Sequence, residues 1–367
     1  MATAYSNTPN ADIELRNRCT RWLNGHRPLR SMRESLLALT QAPEAALALD
    51  VYGQGEAMQQ LEAEVAVLLG KPSARFLHKG VAAQLAALRV HAGEGDGPVA
   101  LHPQSHLALD EADAFEQLMG LRGLRVGDPD TATRVADLDG LTERPAVVTV
   151  ELPLRRGGYR LPAWDEFVAL SAWCRTRGVP LHLDGARLWE AAAHYERPLH
   201  EIAALADSVY VSFYKGLGGL AGCVLVGEAD FIARVSPWQT RLGGNLYTAY
   251  PMVLSALQGL RTHLARMPAY RARAQALAAC LVAEPGWQVA PEPPQVNAFQ
   301  LHLPVAPDAL RARLLALAEQ QGFWLGARAA ASHRLPGGSM VEVVIGDAAE
   351  GWTDAEALAA WRQVAAG

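Results

Sequence analysis

Short apolar runs recur through the first two thirds of the chain, and stretches with helical periodicity or polar composition separate them. The runs are residues 74–77, 98–101, 124–126, 146–150, 181–183, 208–211 and 223–226. Runs of this length that are apolar throughout are typical of strands buried on both faces of a sheet. Their alternation with helices predicts an α/β fold whose large domain contains a mainly parallel seven-stranded sheet.

The pattern changes near residue 250. Helical periodicity covers residues 250–281, with a break expected at Pro268. Beyond it, strands at 296–303, 322–325 and 340–345 and helices at 306–321 and 354–365 predict a small α+β domain. We therefore expect an N-terminal segment (1–45) packed on the small domain or on a partner subunit, a large domain (46–260) and a small C-terminal domain (261–367).

Composition and charge narrow the class of protein. A chain of 367 residues, half of them hydrophobic, can bury a large core. Its net charge of -5 provides no basic surface of the kind that nucleic acids require. No run of 18 apolar residues occurs and residues 1–15 are polar, so we expect a cytoplasmic protein with no membrane partner. The four cysteines show no C-x-x-C spacing, which argues against a zinc site or a disulfide framework.

Two motifs place charged side chains directly after predicted strands. The sequence HLDGAR at 182–187 delivers Asp184, and the sequence KGLG at 215–218 delivers Lys215. Parallel strands would bring both groups to one edge of the sheet. A pyridoxal phosphate enzyme needs such a pair, because the lysine bonds the cofactor and the carboxylate holds a proton on the pyridine nitrogen. An Asp-Gly turn and an exposed lysine are the ordinary structural interpretation of either motif alone.

The two motifs resemble those of the threonine aldolase and β-eliminating lyase family of fold-type I pyridoxal phosphate enzymes. The resemblance runs from about residue 22 to residue 343. It implies a lyase that acts on amino acids, most simply an aldolase that cleaves the Cα–Cβ bond of a threonine-like or allo-threonine-like substrate to glycine and an aldehyde. It also implies a homodimer or homotetramer, since the family builds each active site across a subunit interface.

The resemblance implies three groups of site residues. The catalytic residues would be Lys215, His106, Asp184 and Glu111, with His106 lying on the pyridine ring and Glu111 orienting it. The other cofactor contacts would come from Lys79, Gly80, Val81 and Ser212. Substrate would be bound by Arg187 and Tyr52. No metal site is expected, because the sequence shows no cluster of acidic ligands.

Several positions depart from the family pattern. Lys79-Gly80-Val81 replaces Ser-Gly-Thr in the phosphate-binding segment, and Tyr247 replaces an arginine of the partner subunit, so Lys79 is hypothesised to compensate. Asp110 replaces an aromatic residue, and Glu342 replaces the arginine that would pair with the substrate carboxylate. Arg155, Arg328 and Arg334 are candidate substitutes for that arginine. These changes leave β-elimination, racemisation, transamination or a non-catalytic pyridoxal-binding protein as alternatives.

Overall fold

The computed structural model describes residues 10–95 and 97–366, which form two units. The first unit comprises residues 36–265, and the second comprises residues 10–35 and 266–366. We predicted the boundaries after residues 45 and 260, and the structure places them after residues 35 and 265. Residues 36–45 belong to the first unit because they contact the helix Tyr250–His263. Gln258 donates a hydrogen bond to the Ala38 carbonyl (2.6 Å), and Arg261 pairs with Glu44. No helix in the described part of the chain is long and apolar enough to cross a membrane.

The strands follow the predicted apolar runs closely. In chain order they are β1 (Arg21–Trp22), β2 (Ser73–Leu77), β3 (Val99–Leu101), β4 (Gly123–Arg125), β5 (Val147–Glu151), β6 (Leu181–Gly185), β7 (Ser208–Ser212), β8 (Cys223–Gly227), β9 (Gln288–Ala290), β10 (Ala298–Leu303), β11 (Phe323–Trp324), β12 (Ala330–Ala331) and β13 (Ser339–Val344). Each of the seven runs predicted for the large domain forms a strand.

Helices fill most of the intervening sequence. They are α1 (Asn10–Arg18), α2 (Met32–Leu39), α3 (Glu56–Leu69), α4 (Gly80–Ala92), α5 (His106–Leu109), α6 (Ala114–Met119), α7 (Val135–Asp139), α8 (Trp164–Arg177), α9 (Leu188–Tyr195), α10 (Leu199–Ala203), α11 (Ala229–Arg241), α12 (Tyr250–His263), α13 (Met267–Val282), α14 (Pro307–Gln321) and α15 (Asp354–Ala366). Short 3₁₀ turns occupy Pro43–Ala46, Leu264–Arg266 and Asp347–Gly351.

The first unit is built on a seven-stranded sheet in the order β2-β8-β7-β6-β5-β3-β4. All neighbours pair in parallel except β8, which is antiparallel to both β2 and β7. The carboxyl ends of β2, β3, β5, β6 and β7 consequently lie along the same edge of the sheet.

The interior of the first unit explains why these runs form strands. Strands β6, β7 and β8 are buried along their whole length, because α4 and α11 pack against one part of the sheet through alanine, leucine and aromatic side chains. A residue in a strand covered on both faces finds apolar neighbours at every position, so continuous apolar runs are stable there.

The second unit contains a four-stranded antiparallel sheet in the order β12-β13-β10-β9. The short strand β1 pairs in parallel with β11, so residues 21–22 belong to this unit. Gln300 and Glu342 face each other across β10 and β13. Within this unit the Asn24 side chain donates to the Glu342 carbonyl (3.2 Å) and ties the N-terminal segment to β13.

Candidate active site

The sheet edge described above collects the chemically active side chains of the first unit. Asp184 lies near the end of β6, Lys215 follows β7 after Phe213 and Tyr214, and Glu151 ends β5. His106 begins α5 directly after the loop from β3, and Gly80 begins α4 directly after β2. The structure therefore brings Lys215, Asp184 and His106 to one edge, as the sequence predicts.

Lys215 is largely buried, and its amine makes no hydrogen bond or ion pair with the described residues. Its Nζ lies 5.7 Å from the centroid of the Tyr214 ring. Burial and the positive charge of Arg187 lower the pKa of the Lys215 amine to about 8, while Asp184 opposes this shift. A lysine with a lowered pKa has more of the neutral amine that attacks a carbonyl group.

Asp184 and Glu151 are register partners on β6 and β5. Oδ1 of Asp184 accepts a hydrogen bond from the Ala186 amide (3.1 Å), and Oδ2 accepts one from the Gln84 side chain (2.5 Å). Burial and the nearby Asp184 charge raise the pKa of the Glu151 carboxyl to about 7. Asp184 thus accepts hydrogen bonds from two donors, whereas Glu151 takes up a proton near neutral pH.

His106 is positioned by two acidic residues and is affected by the charge of a third. Its backbone amide donates to Glu151 Oε2 (2.7 Å), and its Nδ1 lies 2.8 Å from Glu111 Oε1. Burial lowers the pKa of the His106 imidazole, but the hydrogen bond and charge of Glu111 and the charge of Asp184 outweigh burial and raise it. Glu111 is buried, which fixes the direction in which the imidazole points.

The N-terminus of α4 forms a cup for an anion. Its N-cap residue Lys79 offers no side-chain hydrogen bond to the first-turn amides, so those amides, including that of Val81, remain available for a ligand. A Cβ at Gly80 would overlap the Tyr210 hydroxyl, and that hydroxyl bonds to Tyr214. Nζ of Lys79 lies 5.2 Å from the centroid of the Tyr214 ring. This cup was predicted from the sequence, but its contacts with Tyr210 and Tyr214 were not.

An arginine-rich loop follows β5. Arg156 forms a bidentate ion pair with Asp110, in which Nε lies 2.7 Å from Oδ2. The positive charge of Arg155 lowers the pKa values of both Lys215 and Asp110. The Arg187 guanidinium lies 5.5 Å from the centroid of the Tyr159 ring and also acts on Lys215. Position 110, at which we expected only a lost aromatic contact, holds one half of an ion pair.

Two predicted site residues lie apart from these contacts. Ser212 is buried, and its Oγ donates to the Ala186 carbonyl (2.7 Å). Tyr52 is 55% exposed, packs edge-on against Tyr247 and donates its amide to the Tyr247 carbonyl. No described contact within the first unit joins Tyr52 to Lys215.

Sequence analysis missed Gln84, which lies in the middle of α4 and is 1% exposed. Its side chain bridges Asp184 and His182. A single amide in the apolar helix GVAAQLAALRV was the available signal, because a buried polar side chain needs hydrogen-bond partners.

The donor set at this edge fits pyridoxal phosphate. A buried amine without a partner suits the cofactor aldehyde, the carboxyl group of Asp184 suits a protonated ring nitrogen, and the uncapped start of α4 suits a phosphate. The imidazole of His106 lies close enough to Lys215 and Asp184 for their charges to affect its pKa.

Comparisons with known proteins agree with this arrangement. Residues 27–303 match the family described as Beta-eliminating lyase. The aldolase vrtJ of Penicillium aethiopicum is 33% identical over 61% of this chain, and the chain spans 58% of its length. Low-specificity L-threonine aldolase 1 of Arabidopsis thaliana is 28% identical over 69% of this chain and 72% of its own length. A protein of Listeria monocytogenes EGD-E proposed to be an L-allo-threonine aldolase is 33% identical, with a TM-score of 0.89 over 97% of this chain and 99% of that one.

Proposed function

This chain belongs to the beta-eliminating lyase family, and on that premise we propose that it is a pyridoxal phosphate-dependent carbon–carbon lyase. Its substrate would be a β-hydroxy amino acid of the threonine or allo-threonine type, cleaved to glycine and an aldehyde. The observation that carries the proposal is the meeting of Lys215, Asp184 and His106 at one sheet edge. The likeness to the Listeria protein over 97% of the chain supports it.

Different residues at this sheet edge would hold different parts of the cofactor. Pyridoxal phosphate, when bound, withdraws electrons from the Cα of an amino acid. Lys215 would hold the cofactor aldehyde, Asp184 would keep a proton on the ring nitrogen, and the start of α4 with Lys79 would hold the phosphate. Tyr210 would support the cup from below, because its hydroxyl lies against Gly80. Ser212 would act indirectly, by fixing the Ala186 carbonyl behind Asp184.

His106 is the proposed proton acceptor for the substrate hydroxyl. The carboxylate of Glu111 stabilises the positive charge that the imidazole gains when it takes this proton. Glu151 accepts a hydrogen bond from the backbone amide of His106. Its pKa is raised to about 7, so this carboxyl group can hold a proton near neutral pH. Arg187 would bind the substrate carboxylate, since a guanidinium matches it with two parallel hydrogen bonds.

The ion pair between Asp110 and Arg156 is the specific observation that favours a different substrate side chain. It lies one helical turn from His106, and the Asp110 carboxylate responds to the His106 charge. A charged pair at this position favours a polar group on Cβ or beyond over an aromatic one. A polar substrate that undergoes β-elimination is therefore the second candidate.

We also propose that a second copy of the chain covers one face of the first unit. Leu36, Leu49, Tyr52 and Tyr247 are 59%, 68%, 55% and 66% exposed, respectively. A largely apolar groove on this unit is lined by Leu36, Leu39, Leu47, Leu49, Met58, Tyr250, Val253 and Leu254, among others. Exposed apolar side chains next to an apolar groove are typical of a subunit interface. In that dimer, Tyr52 would contact the partner subunit.

The first test is the absorption spectrum of the purified protein with cofactor between about 300 and 500 nm, alongside Lys215→Ala. The wild-type protein is expected to show the band of a lysine-bound cofactor, and Lys215→Ala is expected to lack it. Addition of L-threonine, L-allo-threonine or L-serine should change the band, and enzymatic detection of an aldehyde should identify the cleaved amino acid. Ammonia or a keto acid without aldehyde would favour elimination. A band that no amino acid changes would contradict both proposed reactions.

A further inference from the structure

Four polar side chains, three of them buried and one (His91) half-buried, form a hydrogen-bonded line behind Asp184. Gln84 Nε2 donates to Asp184 Oδ2 (2.5 Å), and Gln84 Oε1 lies 2.6 Å from His182 Nε2. His182 Nδ1 lies 2.7 Å from Ser208 Oγ, which in turn lies 2.7 Å from His91 Nε2. The line runs from α4 through β6 and β7 and returns to α4.

The hydrogen atoms of this line have one consistent arrangement. An amide oxygen only accepts, so His182 must carry its proton on Nε2. Burial and the neighbouring His91 lower the pKa of His182 to about 3, so the ring is neutral and its Nδ1 accepts. The Ser208 hydroxyl must then donate to His182 Nδ1, and His91 must donate to Ser208 from Nε2.

Every donor in this arrangement points towards Asp184. His91 donates to Ser208, Ser208 to His182, His182 to Gln84, and Gln84 to the carboxylate. Hydrogen bonds in series polarise one another, and the final bond to an ionised acceptor becomes the strongest. The members of the line that stabilise the Asp184 carboxylate are all neutral, since desolvation lowers the pKa of His91 to about 4.

We propose that Gln84 is a positioning residue that transmits this line to Asp184 and thereby keeps the carboxylate charged and aimed at the cofactor ring nitrogen. The inference rests on the proposed contact between Asp184 and that nitrogen. The amide is essential because it accepts from His182 with one atom and donates to Asp184 with the other. A hydroxyl or an alkyl side chain at this position breaks the line or shortens it.

Other charged groups act on the two ends of the line. Asp184 is the register partner of Glu151 on β5. Its charge raises the pKa values of four neighbouring groups, Glu111, His106, Lys215 and Tyr210. The His91 ring stacks on the Phe231 ring with their centroids 4.6 Å apart. The charge of Asp207 raises the pKa of His91, and the charge of Arg234 lowers it. None of these groups changes in the variants below, so differences between variants report on the line itself.

The test compares Gln84→Met and Gln84→Glu, each loaded with pyridoxal phosphate. Gln84→Met removes the donor and the acceptor, so the pH at which the cofactor band titrates should move by about one unit and the cofactor dissociation constant should rise about tenfold. In Gln84→Glu a protonated carboxyl donates to Asp184 and still accepts from His182, whereas an ionised one cannot donate. Gln84→Glu should therefore match the wild type at low pH and lose that match at high pH, where the ionised side chain repels Asp184 instead of donating to it.

Two further variants separate this role from a loss of packing. Ser171 is 1% exposed in α8, and its Oγ donates to the Leu205 carbonyl at 2.5 Å, away from the line. Ser171→Ala should leave the cofactor spectrum unchanged at every pH. Ser208→Ala interrupts the line two bonds away from Asp184, so it should shift the spectrum in the same direction as Gln84→Met but less. If Gln84→Met does not fold, the pH-dependent match of Gln84→Glu and the Ser208→Ala shift remain as tests.

Several results would overturn the inference. A wild-type spectrum in Gln84→Met, or a Gln84→Glu spectrum without the pH-dependent match, would show that the amide does not act on Asp184. ¹⁵N NMR of the cofactor-free protein should find His182 protonated on Nε2 and unprotonated on Nδ1, and the opposite tautomer would contradict the line. If Asp184→Ala also leaves the spectrum unchanged, the proposed contact of Asp184 with the cofactor fails instead.

Discussion

The charge of Glu111 determines how His106 handles protons. Glu111 Oε1 lies 2.8 Å from the imidazole, and both groups are largely shielded from solvent. In such surroundings the energetic effect of one charge on another is larger than at the surface. Glu111 therefore contributes most to the raised pKa of His106, and the charge of Asp184 adds to it.

Glu111→Gln keeps the shape of the side chain and removes its charge. The pKa of His106 should then fall, because burial would no longer be outweighed. A base acts only when it is unprotonated, so the acid limb of kcat/KM against pH should move to lower pH by about one unit. The exposed Glu116→Gln is the matched control and should leave the profile unchanged. An unmoved acid limb in Glu111→Gln would mean that His106 is not the group that governs it.

Asp184, Lys215 and His106 were predicted as site residues from the sequence, whereas Gln84 and Tyr210 were not. The first three stand in recognisable motifs at the ends of apolar runs, where the chain turns from a strand. Gln84 and Tyr210 lie inside α4 and β7, and their importance comes from contacts with residues 100 and 130 positions away along the chain, respectively. Such contacts exist only after the sheet and α4 have packed together.

The central strands of the large sheet were predictable because they are buried on both faces, whereas β2 and β4 at its edges are only partly buried. The strands β1, β9 and β12 were not predicted, since each has only two or three residues and, unlike the equally short β3 and β4, none lies in the regular alternation of strands and helices. The break in the long helical stretch was expected at Pro268 but falls at Leu264–Arg266. Pro268 instead lies in the first turn of α13, where a proline does not remove an intrahelical hydrogen bond.

Helix α4 depends on a residue without a side chain at its first position. A methyl group at Gly80 would overlap the Tyr210 hydroxyl, so Gly80→Ala must displace either the helix start or the tyrosine. We expect the variant to lose about 1–3 kcal/mol of stability in thermal unfolding. Its affinity for pyridoxal phosphate, measured by titration, should fall at least about tenfold because the anion cup is distorted.

Two companion variants test this cause. Gly140→Ala adds a methyl group with no heavy atom closer than 3.9 Å, and it should change neither stability nor cofactor affinity by a comparable amount. The double variant Gly80→Ala/Tyr210→Phe removes the overlapping oxygen and should recover part of the lost stability. If the double variant is no more stable than Gly80→Ala, the tyrosine hydroxyl is not the source of the strain.

The proposed dimer makes the exposed apolar face of the first unit a determinant of assembly. Leu49→Glu would place a charge among the apolar side chains that line the groove, and burial of an unpaired charge is costly. Sedimentation velocity should show the dimer dissociation constant rise at least about tenfold. Val67→Glu is the control, because Val67 is 79% exposed on α3 and does not line the groove. A sedimentation profile that responds equally to both substitutions would contradict the proposed interface.

The pairing of β2 with β8 joins the first and last strands of the large sheet, which are made at different times during synthesis. Ser73 pairs with Gly227 and Leu77 with Cys223, and within residues 10–95 and 97–366 β8 is the only sheet neighbour of β2. During synthesis the backbone hydrogen-bonding groups of β2 therefore have no strand to pair with until residues 223–227 have left the ribosome. Lys215 is made before that point, so the lysine emerges on an incomplete sheet and gains its buried surroundings only when the chain turns back through β8.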